Sequence, residues 1–363
     1  MLDITIKKAP PEQLKPKPDE KALGFGAIFT DHMFVMHYDT EKGWHDAQIC
    51  KYQHFSLDPA AMALHYGQAI FEGLKAYRGK DNQIYLFRPQ DNLARMNLSA
   101  TRMCMPTIDT DDVLSALKRL LKIEQDWVPG INGASLYIRP TMIASEAALG
   151  VRPANQYIFF IILSPVGAYY PEGFNPVKIF VTDKYVRAVP GGVGNTKTAG
   201  NYAASIMAAV EAQKQGFTQV LWLDAVERKY IEEVGTMNIF FVIGDEVITP
   251  PLSGSILPGI TRDSVLTLAK EWGLDVVERP IAIDEVFTAA GNGSLKEVFG
   301  TGTAAVISPV GSLYYKGETC IVNNGKTGEL AQRLFDEMQS MQYGAKTDLF
   351  GWVERGTPDS NSL

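Results

Sequence analysis

Residues 157–163, Tyr-Ile-Phe-Phe-Ile-Ile-Leu, form the longest strongly apolar run of the chain, and SPVGAYYPEGFNP follows at once over 164–176. The run is far shorter than the ~20 residues that span a bilayer, so no membrane segment is expected. Its β-branched and aromatic residues make it a buried strand. The next stretch, dense in Pro and Gly, has the composition of a linker. At 363 residues the chain also exceeds the ~250–300 at which one hydrophobic core stops growing. Two domains are therefore predicted, over 1–165 and 177–363, joined by a linker at 166–176, with a ligand expected between them.

Elsewhere helical and strand-like patterns alternate without an internal repeat, a low-complexity tract or a heptad run, which predicts a mixed α/β (α+β) fold. Further strand candidates are VKIFVT at 177–182, QVLWL at 219–223 and NIFFVI at 238–243. A helix is predicted over 111–127, with Thr110 as cap, Asp111 and Asp112 in its first turn, and Val113, Leu114, Leu117, Leu120 and Leu121 as its apolar face. Another should begin near Glu329, burying Leu330, Leu334, Met338 and Met341 and stopping at Gly344.

With 46% hydrophobic and 21% charged residues the composition is that of an ordinary globular protein. A formal net charge of −7 offers no Lys and Arg excess for a polyanion, which excludes nucleic acid as an expected partner. Residues 1–21 alternate Lys with Pro and acid, hold neither an apolar signal core nor an Arg-rich amphipathic face, and read as a mobile arm of a cytoplasmic protein. Cys50, Cys104 and Cys320 are widely separated and form no Cys-x-x-Cys pair, so neither a disulfide framework nor a metal site is indicated.

Several catalytic signatures are missing. All five histidines lie within the first sixty-five residues, none in a His-Glu-x-x-His pattern, and no Gly-x-Ser-x-Gly elbow occurs. The segment from Gly191 to Thr198 resembles a phosphate loop, but Thr196 stands where that loop needs its last glycine. Gly300-Thr-Gly302-Thr303-Ala-Ala fails the dinucleotide fingerprint because Ala305 takes its final Gly position. What remains is Lys197, flanked by threonines and followed by Ala199-Gly-Asn201-Tyr202 after a flexible run. A lysine acts as a nucleophile only when its amine is neutral, which desolvation or a neighbouring cationic or electron-withdrawing group arranges. Taken alone, Lys197 reads either as such a nucleophile or as a surface loop residue.

Read together, FTDHM (29–33), HYGQAIFEGLKAYRG (65–79), LFRPQDNLARM (86–96), LYIRP (136–140), GGVGNTKTAGNYAAS (191–205), EEVGTMNIFFV (232–242), ILPGITRDSV (256–265) and EVFGTGTAA (297–305) resemble the branched-chain aminotransferases of the fold-type IV pyridoxal-phosphate enzymes. The resemblance spans nearly the whole chain and implies a two-domain fold with pyridoxal 5′-phosphate held on Lys197 as a Schiff base. It places Tyr202 near the cofactor's phenolic oxygen and Glu233 on its pyridine nitrogen, which a carboxylate keeps protonated so that the ring accepts electrons from Cα. The adjacent Glu232 reads as a solvated acid. Arg88, Ile260, Thr261 and Thr303 are implied as phosphate donors, in keeping with Arg and helix-start chemistry. The substrate α-carboxylate is assigned to the hydroxyls of Tyr137 and Thr236 and the amide of Ala304, and the second carboxylate of glutamate to Arg139. Phe25, Tyr66, Phe71 and Tyr169 are implied as the side-chain slot, with Leu149 and Val151 contributed by a neighbouring subunit. Vertebrate members carry a redox Cys-x-x-Cys pair where this chain has Ala305 and Ser308.

The activity implied is transfer of the amino group of leucine, isoleucine or valine to 2-oxoglutarate by a homodimer. The alternatives are a D-amino acid aminotransferase or aminodeoxychorismate lyase of the same fold type, or a non-catalytic carrier of a phosphorylated ligand.

Overall fold

The computed structural model describes residues 2–167, 169 and 173–358. It is mixed α and β, with two nine-stranded sheets. Its compact units are Met1–Tyr169 with Lys197–Ala199 and Gln339–Leu363, and Tyr170–Thr196 with Gly200–Met338. The first crossing between units falls within the stretch read as a linker, of which residues 168 and 170–172 lie outside the described residues. The chain then returns to the first unit at Lys197–Ala199 and again after Met338.

The first unit is built on a sheet of strands Thr5–Lys7, Gly43–Lys51, His32–Asp39, Gln156–Val166, Ser135–Ala144, Leu74–Arg78, Ile84–Phe87 and Val353–Arg355 in that order, with Ala69–Phe71 added beside Ser135–Ala144. The apolar run 157–163 is the middle of one of its inner strands, as its residue types predict. Helices Pro89–Arg102 and Thr110–Ile123 share one core with the sheet, through Leu93, Met96, Leu117 and Leu120 against Leu136, Ile138, Phe159 and Ile161. From Leu136 to Ala144 burial alternates residue by residue, so Leu136 and Ile138 enter that core while Tyr137 and Arg139 point to the other face.

Two local expectations are corrected. The helix after residue 109 is capped by Asp109, whose carboxylate accepts the Asp112 N–H at 2.9 Å, so it starts at Thr110 and ends at Ile123, with a separate 3-10 turn at Gln125–Trp127. The N-terminal segment is no loose arm. Thr5–Lys7 pairs in parallel with Gln48–Cys50, the Ala9 N–H donates to His32 Nε2 at 2.8 Å, and the Lys15 N–H donates to Asp31 Oδ1 at 2.9 Å. Asp31 also accepts the Trp127 indole N–H, His32 is bonded to Glu124, and the Lys17 ammonium lies 3.9 Å over the Trp127 ring. Backbone pairing of this kind cannot be read from a Lys- and Pro-rich composition.

The second unit has strands Ile231–Val234, Gln219–Leu223, Val177–Thr182, Val306–Tyr315, Leu295–Gly302, Asn238–Ile243, Glu246–Thr249 and Asp275–Glu278 in order, with Glu318–Ile321 on the side. Asn238 pairs with Thr301 and Gly302 with Val306. The turn before Asn238 and the turn after Gly302 therefore lie at the same end of the sheet. The helix Glu329–Gln342 begins where predicted; its start is capped from a strand, by the Glu297 carboxylate accepting the N–H groups of Leu330 and Ala331. Gly344 ends it with φ +64°, the left-handed conformation a helix stop requires. No helix among the described residues is long and apolar enough to cross a membrane.

On the face of the first sheet that carries Tyr137 lies Lys75, paired directly opposite it. Burial pushes the Lys75 ammonium down from 10.5 to about 8. The unfolded chain thus holds that proton up to 10.5 and the folded chain only up to about 8, and folding gains stability with rising pH between those values. Denaturant titrations should show wild-type stability rising relative to Lys75→Met across this window; a constant difference would mean that Lys75 keeps its proton when folded.

Candidate active site

Lys197 is held as a piece of added strand. Thr198 forms an antiparallel bridge with Ile70, the Phe71 N–H donates to the Lys197 carbonyl at 3.0 Å, and the Thr198 hydroxyl donates to the Ala69 carbonyl at 2.8 Å. The Lys197 N–H donates to the Ser99 hydroxyl at 2.9 Å. Lys197 is half-buried, and its Nζ lies 5.0 Å from the centre of the Phe71 ring. The preceding loop, flexible by composition, is pinned: the Asn201 amide donates to the carbonyls of Val193 and Thr196 at 2.8 and 3.0 Å. Gly194 packs so closely that a Cβ there would stand 2.2 Å from the Ser255 carbonyl oxygen.

Around Phe71 the first unit gathers residues far apart in sequence. The Arg139 guanidinium lies 4.6 Å over the Phe71 ring and 5.2 Å over that of Tyr137, and its Nη2 donates to the Tyr137 hydroxyl at 3.1 Å. Phe25 meets Tyr137 edge-on at 5.2 Å and Tyr169 at 4.9 Å. Arg139 Nε is buried without a hydrogen-bond partner among the described residues, a donor that an incoming carboxylate would satisfy. A Cβ on Gly73 would stand 2.1 Å from the Tyr137 hydroxyl, so a larger residue there must push that hydroxyl aside.

Sequence reasoning assigned nothing to Glu72 or Arg95, although they lie in the family-like segments 65–79 and 86–96. They form a buried bidentate pair, with Arg95 Nε and Nη2 at 2.8 Å from Glu72 Oε1 and Oε2. Glu72 also accepts the Gly73 N–H at 3.1 Å and donates its own N–H to the Pro140 carbonyl at 2.8 Å. The pair therefore fixes the backbone between Phe71 and Gly73. Removing one partner of such a pair costs ~3–5 kcal/mol because it strands a buried charge.

In the second unit Glu233 is buried and triply engaged. The Arg187 guanidinium pairs with one carboxylate oxygen, while the other accepts the Asn238 amide at 3.2 Å and the Leu257 N–H at 3.3 Å. Arg187 also donates to the carbonyls of Gly194 and Ser255. Sequence reasoning missed Arg187, which stands in no recognisable motif. Glu232, read as solvated, is instead buried against the Ser255 hydroxyl, and burial raises its carboxyl above the usual range. Arg187, Tyr202, Glu233, Thr236 and Leu257 line an open cleft.

The same end of this sheet carries the other predicted residues. Thr236 sits in the tight turn closed by Val234 and Met237, and Thr303 and Ala304 lie in the turn between paired Gly302 and Val306. Ile260 and Thr261 open the helix Ile260–Glu271, which begins after Gly259 without a side-chain cap. A Cβ on Gly259 would stand 1.9 Å from the Asn238 amide oxygen, so this helix start approaches the Glu233 partner as only glycine allows. Backbone N–H groups, three threonines, a buried carboxylate and a tyrosine form a polar set that fits a phosphorylated heteroaromatic ring.

In the first unit Arg88 heads the helix Pro89–Arg102 with φ +50°, an uncommon conformation for a non-glycine residue. Its Nε pairs with Asp91 at 2.6 Å and its guanidinium lies 5.1 Å over the Trp352 ring. Tyr66 and Leu149 make a pair of their own at the exposed surface, the Tyr66 hydroxyl donating to the Leu149 carbonyl; Val151 is exposed nearby in sequence.

The pattern that defines the class IV amino-transferases matches residues 69–313, which sets the class of this fold and site. Branched-chain-amino-acid aminotransferase 2 of Bacillus subtilis (strain 168) is 58% identical over 353 residues, 97% of either chain. A probable branched-chain-amino-acid aminotransferase of Staphylococcus aureus (strain N315) is 55% identical over 342 residues, covering 94% of this chain and 95% of that one. The branched-chain amino acid aminotransferase of Escherichia coli aligns in structure with a TM-score of 0.77 at 27% identity, over 90% of this chain and 99% of its own. The chain belongs to the class IV aminotransferases, among the branched-chain-amino-acid aminotransferases. These are pyridoxal-phosphate-dependent transaminases, and the lyase, D-amino acid and carrier alternatives are not favoured.

Gly73→Ala tests how tightly the Tyr137 hydroxyl is positioned. The added methyl must displace it, so the KM for an amino acid donor should rise about tenfold, the effect of ~1.4 kcal/mol, with little change in unfolding midpoint. Unchanged KM would show that the hydroxyl has room to move without consequence.

Proposed function

We propose that this chain transfers the amino group of L-leucine, L-isoleucine or L-valine to 2-oxoglutarate, carrying pyridoxal 5′-phosphate covalently on Lys197 Nζ. The observation that carries this reading is the clamp on Lys197, whose carbonyl, N–H and neighbouring hydroxyl are each hydrogen-bonded while Nζ faces the Phe71 ring. When bound, the cofactor supplies an electron sink for breaking the Cα–H bond of the substrate.

The protein's residues do the rest. Once displaced from the cofactor by the substrate amine, the freed Lys197 Nζ would take the proton from Cα and return it to the cofactor carbon that the lysine had held, acting as base and then acid. Glu233, its carboxylate held by Arg187 and two N–H donors, would bind the protonated ring nitrogen. Tyr202 donates to the phenolic oxygen. Arg88, Thr261, Thr303 and the Ile260 and Thr261 N–H groups bind phosphate. Tyr137, Thr236 and the Ala304 N–H bind the α-carboxylate. The unmatched Nε of Arg139 receives the second carboxylate of glutamate, while Phe25, Tyr66, Phe71 and Tyr169 surround an apolar side chain. Leu149 and Val151, both exposed, complete the site of a partner subunit in a homodimer. A cytoplasmic setting accords with three free thiols.

Borohydride reduction of the purified holoenzyme followed by peptide mapping should place the pyridoxyl group on Lys197 alone. The competing amine is Lys75, which lies on the Tyr137 face with its proton affinity lowered by burial; label on Lys75 would overturn the mechanism. Arg139→Ala should slow the single-turnover half-reaction with glutamate by at least about tenfold more than that with leucine, the scale of a lost charge-assisted hydrogen bond. Equal losses with both donors would make Arg139 a structural support.

A further inference from the structure

We propose that Ser99 is a positioning residue for the reactive amine, setting the place of Lys197 through its backbone; this rests on Lys197 being the residue that carries the cofactor. Ser99 is fully buried on the helix Pro89–Arg102, and its hydroxyl oxygen accepts the Lys197 N–H at 2.9 Å. A buried backbone N–H left without an acceptor is costly, so the hydroxyl decides where this residue of a distant segment comes to rest.

The same helix acts on the other side of Lys197. Arg95 lies four residues before Ser99, which puts both on one helix face. Arg95 grips the Glu72 carboxylate with two hydrogen bonds, and Glu72 adjoins Phe71, whose N–H holds the Lys197 carbonyl at 3.0 Å. One rigid helix therefore meets the lysine at its N–H directly and at its carbonyl through an ion pair. With the Lys197 backbone held on both sides, the side chain starts from a fixed Cα and reaches fewer positions, and misplacement of a reacting group by ~1 Å can cost about a hundredfold in rate. Glu72, Arg95 and Ser99 all stand in or beside conspicuous motifs, yet none touches a substrate-facing group by sequence position alone.

The test uses Ser99→Ala, Ser99→Thr and, as a control, Ala100→Gly, which loosens the same buried helix turn without touching the acceptor. In the cofactor-free protein, amide hydrogen exchange at Lys197 should be faster in Ser99→Ala than in wild type or Ser99→Thr. Covalent capture of pyridoxal 5′-phosphate should slow about tenfold in Ser99→Ala, the fold-change of one lost hydrogen bond, while affinity for pyridoxamine 5′-phosphate, which forms no bond to the lysine, stays within about twofold. Ser99→Thr should restore capture. Equal exchange and capture losses in Ala100→Gly would reduce Ser99 to a helix-packing residue and overturn the proposal. Unchanged capture in Ser99→Ala, with the label still on Lys197, would overturn the role of Ser99 alone, whereas label on another lysine would overturn the reading of Lys197 with it.

Discussion

The ten residues of Ser135–Ala144 are anchor and workbench at once. Their alternation sends Leu136 and Ile138 into the core with the helices and turns Tyr137 and Arg139 to the opposite face. A slip of one residue would bury the guanidinium and expose the leucine, so the hydrophobic effect that holds the strand also fixes the polar groups. Neighbouring strands depend on the same register: Lys75 stands opposite Tyr137 and Thr141 opposite Phe71. Phe71 in turn holds Lys197. The aromatic and cationic cluster of the first unit is thus a consequence of sheet register.

The second unit meets a different constraint, the cost of keeping a carboxylate out of water. Glu233 is buried in a strand, where an unpaired charge would lose several kcal/mol. Arg187, Asn238 and the Leu257 N–H offset that loss, and the same partners tie together the glycine loop, the strand and the segment leading to Gly259. Arg187 in particular bonds the carbonyls of Gly194 and Ser255. Polar pairing there serves rigidity as well as charge.

Much of this was legible beforehand, for definable reasons. The strands at 157–163, 177–182, 219–223 and 238–243 were readable because β-branched and aromatic runs have few other uses, and Gly344 because a helix stop needs positive φ. The family resemblance singled out Lys197, Glu233, Tyr137 and Arg139 as residues in motifs. The N-terminal segment was misread because its pairing partner, Gly43–Lys51, lies some forty residues away, and composition carries no information about a partner. Arg187 and Ser99 were invisible for a related reason: an arginine or serine acquires a role only through what it touches.

Residue order by itself was enough for the strands at 157–163, 177–182, 219–223 and 238–243, the helices after residues 109 and 328, the stop at Gly344 and the family that supplies the chemistry. It took the folded chain to bring a serine of one helix to the Lys197 N–H, to lock the turn behind Phe71 with Glu72 and Arg95, and to fill the space beside Gly73 with the Tyr137 hydroxyl. Periodicity and propensity act between near neighbours along the chain, whereas hydrogen bonds, ion pairs and close packing join residues that only the folded backbone brings within a few ångströms.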